Sequence, residues 1–273
     1  MRPRRTPFAL EYIEETLNAY EAALKATLNG HPSLSVEQLR WAHDVLAEYF
    51  AHGGGHPKLE PLRERFRGLP SPPWPCETSL IPYCRELSGA VSVPYEALAA
   101  LAERRRSVRW FLPKPVPREL IDKALLIAAQ SPSACNRQPF VFRIFDDPEL
   151  VRQVASIPYG AAGYEHQIPV IVVVVGQLRH FFDARDRHLI YIDASLAAMS
   201  FMFALETLGL SSCCINWPDI PEREEKMARL LKLEPDERPV MLIALGWPDP
   251  EGLVCRSVKK PLRFLRRYNF EEE

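Results

Sequence analysis

The run "IPVIVVVVG" at 168–176 admits few folds. Val170 to Val175 are six consecutive apolar, β-branched residues, which favour extended backbone and leave neither side of the strand polar. Successive side chains of a strand point to opposite faces, so both faces of the sheet must be covered here. The run is far shorter than the ~20 residues a bilayer span needs. It predicts a central strand in a layered fold.

The neighbouring pattern supplies the layers. Helix-like segments at 95–106 and 118–130 precede the strand "FVFRIF" at 140–145. "DPELVRQVAS" predicts a short helix with Asp147 as its N-cap. After "VIVVVV" come a long helix in "RHLIYIDASLAAMSFMFALETLGL", the strand "SSCCINW", the helix "EREEKMARLLKL" and the strand "RPVMLIALGW". Such alternation indicates an α/β or α+β domain. From Ile190 to Leu205 the long helix is apolar nearly all round, apart from Asp193 and small hydroxyls. A helix of that kind must be surrounded by protein, either its own core or a second subunit.

Residues 1–90 have a different texture. Leu10, Ile13, Leu17, Tyr20, Leu24 and Leu28 form one helical stripe within 8–28. Ser35 and Gln38 predict a capping box for a second helix, which Gly53–Gly54–Gly55 ends. Prolines at 57, 61, 70, 72, 73, 75 and 82 predict a semi-rigid extended arm over 57–82. We therefore expect a helical extension over 1–90 and the main domain over 91–273.

Charge and cysteine usage exclude several functions. A net charge of −1 gives no general reason to bind nucleic acid or a membrane surface. The six cysteines form no CxxC pair, which argues against a zinc site or a disulfide framework. His52 and His56 flank the glycine run without a third ligand and read as part of a surface loop. "MRPRRTPFALEYIEE" meets acidic residues before any long apolar stretch, which argues against a secretory signal. The expectation is a cytoplasmic protein with reduced thiols.

Three stretches bear on chemistry. In "RRRSVRWF", Arg105, Ser107 and Arg109 are spaced by two, so extended backbone would place them on one face. Alone, such a cluster is either a solvated patch or part of an anion site. "RSVKKPL" adds Arg256, Lys259 and Lys260 after the last strand, and two basic clusters flanking one domain suggest a bound phosphate. Neither a GxGxxG after a strand nor a Walker loop is present, so side-chain charge would hold it. "SPSACNRQPF" at 131–140 packs neutral hydrogen-bonding groups into one junction.

Together these stretches, "IDASLAAMSFMFALETLGL" and "PVMLIALGWPD" resemble the FMN-dependent nitroreductase family over about 95–265. The resemblance implies an α+β fold: three layers, α/β/α, with a mainly antiparallel central sheet and long core helices, in an intertwined homodimer. It implies FMN at the subunit interface, with the Pro-Ser loop reaching a flavin bound mainly by the other chain. On it, Pro132, Ser133, Ala134 and Asn136 contact the flavin, and Gln138 braces the loop or reaches the ring. Arg105, Arg106, Ser107 and Arg109 map onto ribityl, phosphate and pyrimidine contacts, and Lys259, with Arg256 or Lys260, onto the phosphate.

One loop departs from the family pattern. Many members carry Pro-x-Glu-Gly-Phe opposite flavin N5, where this chain has "INWPDIPER". Pro221 supplies no N–H, so the N5 contact is expected from Asp219 or Ile220, beside Trp217 and Pro218. Trp217 is either a wall of the flavin site or a core aromatic. Adjacent Cys213 and Cys214 point to opposite faces of a strand and read as structural.

The resemblance implies an oxidoreductase that uses NAD(P)H to reduce nitroaromatic, quinone or other electron-poor small molecules by a ping-pong mechanism, with the flavin as reagent. The alternatives are a specialised biosynthetic flavoenzyme (dehydrogenating, dehalogenating or flavin-modifying) and a non-enzymatic flavin- or partner-binding protein.

Overall fold

The computed structural model describes residues 7–70, 79–85 and 92–269. The chain divides into two units, Met1–Ala90 and Val91–Glu273.

The first unit holds α1 (Ile13–Leu28), α2 (Val36–His52) and α3 (Leu59–Arg67). Ile13, Leu17, Tyr20 and Leu24 of α1 are buried against Leu39, Leu46 and Phe50 of α2 and Leu59 and Leu62 of α3. Ser35 Oγ accepts the Gln38 N–H at 3.2 Å, and the Gln38 side chain accepts the Ser35 N–H at 3.1 Å, closing the predicted capping box. The expected extended arm is corrected in part, because α3 occupies 59–67. Pro61 is its third residue, inside the first turn, where a missing N–H leaves no intrahelical bond unmade. Pro72, Pro73 and Pro75 lie outside the described residues.

The second unit runs α4 (Tyr95–Arg104), α5 (Arg118–Ala128), β1 (Phe140–Phe145), α6 (Pro148–Ala155), β2 (Val170–Gln177), α7 (Leu189–Thr207), β3 (Ser211–Asn216), α8 (Pro221–Leu231) and β4 (Glu237–Gly246). The strands lie in the order β1-β2-β4-β3, and each neighbouring pair is antiparallel. Asp147 caps α6 as expected, its carboxylate accepting the N–H groups of Glu149 and Leu150.

The six-residue apolar run explains the layering. Ile171, Val173 and Val175 enter a core shared with Val151 and Val154 of α6 and Met227 and Leu231 of α8. Val170, Val172 and Val174 enter a second core with Ile121 and Ala124 of α5 and Ala194, Ala198 and Phe201 of α7. None of the six is more than 2% exposed. The result is an α+β fold with helices on both faces of an antiparallel sheet. α7 presses hard on the sheet: a Cβ at Gly176 would lie 2.8 Å from that of Ile190. Its own chain does not cover it fully, since Tyr191, Ile192 and Leu196 stay 40%, 48% and 43% exposed.

Candidate functional site

α4 ends at Arg104, and the chain then runs extended along the free edge of β3. Ser107 bridges Ser212 in parallel, and the Val108 N–H donates to the Ser212 carbonyl at 3.1 Å. Val108 turns into the core, so Ser107 and Arg109 on either side of it face away. After β4 the chain returns to the same place. Phe111 bridges Pro248, and the Asp249 N–H donates to the Trp110 carbonyl at 3.0 Å. Between the two segments lies a cleft of about 250 Å³ lined by Arg105, Arg106, Ser107, Arg109, Cys255, Ser257 and Lys259.

Among the described residues, no carboxylate lines this cleft. Two of its cations are held by carbonyls: Arg106 Nη1 donates to the Arg105 carbonyl at 2.9 Å, and Arg109 Nη1 to that of Ser107 at 3.4 Å. The Arg109 guanidinium also lies 5.9 Å from the centroid of the buried Tyr164 ring, and Gln167 Nε2 donates to the Arg109 carbonyl at 3.0 Å. Behind the cleft, buried Glu206 at the end of α7 lies 3.6 Å from Arg104. Burial pushes its carboxyl above the ordinary 4.5, opposed by the Ser211 hydrogen bond and by Arg104 and Arg105. Guanidinium, ammonium and hydroxyl donors converging without a carboxylate suit a phosphate, so the donor set fits the phosphate end of FMN.

The loop before β1 is built differently. Cys135, Asn136 and Gln138 have φ of 51°, 54° and 48°, the left-handed region that non-glycine residues seldom adopt. Neutral hydrogen bonds fold it: Ser133 Oγ accepts the Gln138 N–H at 3.0 Å, and Gln138 Nε2 donates to Asn136 Oδ1 at 3.3 Å. Gln138 thus braces the loop. α7 holds it from beneath, with Asp193 Oδ2 accepting the Ala134 N–H at 3.0 Å and Ser131 and Ser200 bonded through their hydroxyls at 2.7 Å. Pro132, Asn136 and Gln138 are exposed, and Ser133 and Ala134 half-buried.

These two constructions sit at diagonal corners of the sheet. The loop enters β1 at Phe140, level with Gly176 and Arg238, whereas Ser107 meets β3 at its other end, level with Leu245 and Val170. Four strand spacings and six residues of strand separate them by roughly 28 Å. Within one chain the cleft and the loop do not meet.

Other expected residues fall elsewhere. Arg256 and Lys260 are exposed and do not line the cleft; of the three cations in the terminal motif, Lys259 does. Trp217 is 7% exposed, packs in the core beside Ile215 and Met227, and donates its indole N–H to Glu224, so it is a core aromatic. The Ile220 N–H is engaged by the Pro218 carbonyl at 2.9 Å, and Pro221 opens α8, so Ile220 is not the free donor expected opposite N5. Asp219 is exposed and lines a separate open cavity with Tyr191 and Arg238.

Sequence reasoning missed Ser257 and Cys255 as lining residues. The i, i+2 spacing that singled out 105, 107 and 109 also links 255, 257 and 259 and would have found them. Nothing local in the sequence marks Tyr164 or Gln167 as the backing of Arg109.

Comparison with known proteins matches this half of the molecule. The model described as the nitroreductase family matches residues 102–162 and 161–247, just over half of the chain. A Methanothermobacter thermautotrophicus protein named for NADH dehydrogenase/NAD(P)H nitroreductase activity is 29% identical over 147 residues, 53% of this chain and 73% of that protein. Human iodotyrosine deiodinase 1 is 24% identical over 191 residues, 59% of this chain and 65% of the deiodinase, just under two thirds of its length. Among solved structures, an FMN-dependent nitroreductase from Clostridium difficile superposes with a TM-score of 0.55 at 21% identity, over 63% of this chain and 99% of that one.

Proposed function

From the premise that the chain belongs to the nitroreductase family, we propose that it is an FMN-dependent oxidoreductase acting on electron-poor small molecules. The observation that carries this reading is the carboxylate-free cleft where Arg105, Ser107, Arg109, Ser257 and Lys259 converge from segments some 150 residues apart. Bound FMN would supply hydride transfer between NAD(P)H and an acceptor. The chain's own task is to hold it. Arg105, Arg106 and Lys259 take the phosphate, Ser107 and Ser257 donate hydroxyl hydrogen bonds, and Arg109 is aimed by its contact with Tyr164.

The neutral loop at 132–138 completes the site from a second copy of the chain. Two observations support this: the corner-to-corner separation of loop and cleft, and the apolar face of α7 that its own chain leaves exposed. A homodimer with two sites follows. With no GxGxxG segment to bind the nicotinamide cofactor separately, donor and acceptor would use one pocket in turn, giving ping-pong kinetics. The free thiols of Cys84, Cys135, Cys213, Cys214 and Cys255 suit a cytoplasmic enzyme.

The test is direct. Purified protein should be yellow or bind added FMN, and NAD(P)H should bleach it anaerobically. Protein that takes up no FMN ends the proposal.

A second reading is reductive dehalogenation or another specialised reaction of the same fold. It is favoured by similarity to iodotyrosine deiodinase and by the loop after β3, where Ile220 and Pro221 offer no free backbone donor. Assay of the reduced protein separates them. Fast turnover of menadione or nitrofurazone supports the first, and release of halide from a halogenated phenol without quinone turnover supports the second.

A further inference from the structure

Asp193 is out of place by composition. It is the one charged residue between Ile190 and Leu205, and it is 3% exposed. An isolated carboxylate is costly to bury unless hydrogen bonds compensate it. Its partner is the backbone N–H of Ala134, 3.0 Å from Oδ2. Seven residues on, Ser200 lies on the same side of α7 and meets the Ser131 hydroxyl at 2.7 Å. These two polar groups of a mostly apolar helix therefore meet one loop.

That loop would not hold its shape by default. Three of its residues, Cys135, Asn136 and Gln138, occupy the left-handed region without being glycine, so the surroundings must over-determine it. Ser133 and Gln138 brace it internally, but neither ties it to the core. Asp193 does, at Ala134, the residue just before the left-handed segment.

We infer that Asp193 is a positioning residue that clamps the 132–138 loop in its flavin-receiving shape by accepting the Ala134 N–H, without itself touching the cofactor. The inference rests on the proposed FMN site. Its basis, a buried carboxylate holding a strained loop, belongs to the chain alone.

The experiment compares the full-length protein with Asp193→Ala, Asp193→Asn and Asp193→Leu. Asparagine keeps an acceptor oxygen, alanine removes it, and leucine removes it while filling the apolar site, so one acceptor-less variant remains should the alanine protein not fold. Without added flavin, hydrogen exchange at the Ala134 amide should be at least tenfold faster in the alanine or leucine variant and return to within about threefold of wild type in the asparagine variant. With FMN, the acceptor-less variants should bind at least tenfold more weakly and shift the flavin's visible absorption bands, and asparagine should restore both. Unchanged Ala134 exchange in the acceptor-less variants overturns the clamp, as does an asparagine variant as impaired as alanine. Should wild type bind no FMN while Ala134 exchange still responds, the flavin reading fails and the clamp stands. Altered exchange with unaltered FMN affinity and spectrum overturns its role in positioning.

Discussion

Charge at single positions sets what the cleft can hold. Arg105→Ala and Lys259→Ala should each weaken FMN binding by about tenfold or more, since each removes a charge-assisted hydrogen bond from a phosphate. Arg256→Ala and Lys260→Ala, outside the cleft, should change it less than about twofold, as distant surface charges are screened. Fluorescence titration at fixed salt measures all four, and equal losses throughout would mean diffuse attraction in place of a built site. Glu206 supplies a pH signature. Burial raises its pKa above the ordinary 4.5, so its protonated form is favoured in the folded chain. Its contribution is full below about pH 4.5 and is lost as pH rises through the raised native value. Glu206→Gln cannot ionise, so it should raise Tm at neutral pH and leave it unchanged in acid. A uniform shift at every pH would show that packing, not ionisation, governs this site.

The elements were legible to the degree that local chemistry decided them. β1 occupies the predicted 140–145, because "FVFRIF" is bounded by the Pro-containing loop and by the Asp147 cap. α2 follows from its capping box. Ser35→Ala should cost ~1 kcal/mol, read as a lower urea midpoint by circular dichroism. Phe201→Ala in α7, at 0% exposure against Phe142, should cost ~3–5 kcal/mol and lower Tm by several degrees. Where the prolines of 57–82 were counted as breakers regardless of position, the reading failed at Pro61, which sits in the first turn of α3, where proline is tolerated. The candidate cleft was legible in the spacing of Arg105, Ser107 and Arg109 and in Lys259. The supports of cleft and loop were not legible, because Tyr164, Gln167 and Asp193 act across 55 to 59 residues of sequence and only the fold brings them into contact.

At the scale of the molecule, the diagonal placement of loop and cleft makes a statement about assembly. Suppose chains carrying Arg105→Ala are refolded with chains carrying Asn136→Ala. In a mixed dimer, one site collects both substitutions and the other collects neither. Mixed preparations should therefore regain sites of wild-type FMN affinity that neither parent has, up to one per mixed dimer. Were one chain to furnish both halves of a site, mixing would restore nothing.

α7 gives this arrangement a built-in ruler. Asp193 near its start grips the loop, and Glu206 near its end backs the cleft. The thirteen residue-to-residue steps between them rise about 1.5 Å each, a rigid spacing of roughly 20 Å. Inserting or deleting a residue between them would swing one end by about 100° relative to the other. Loop and cleft would then be mis-set at once, so this helix should tolerate changes of side chain far better than any change of length.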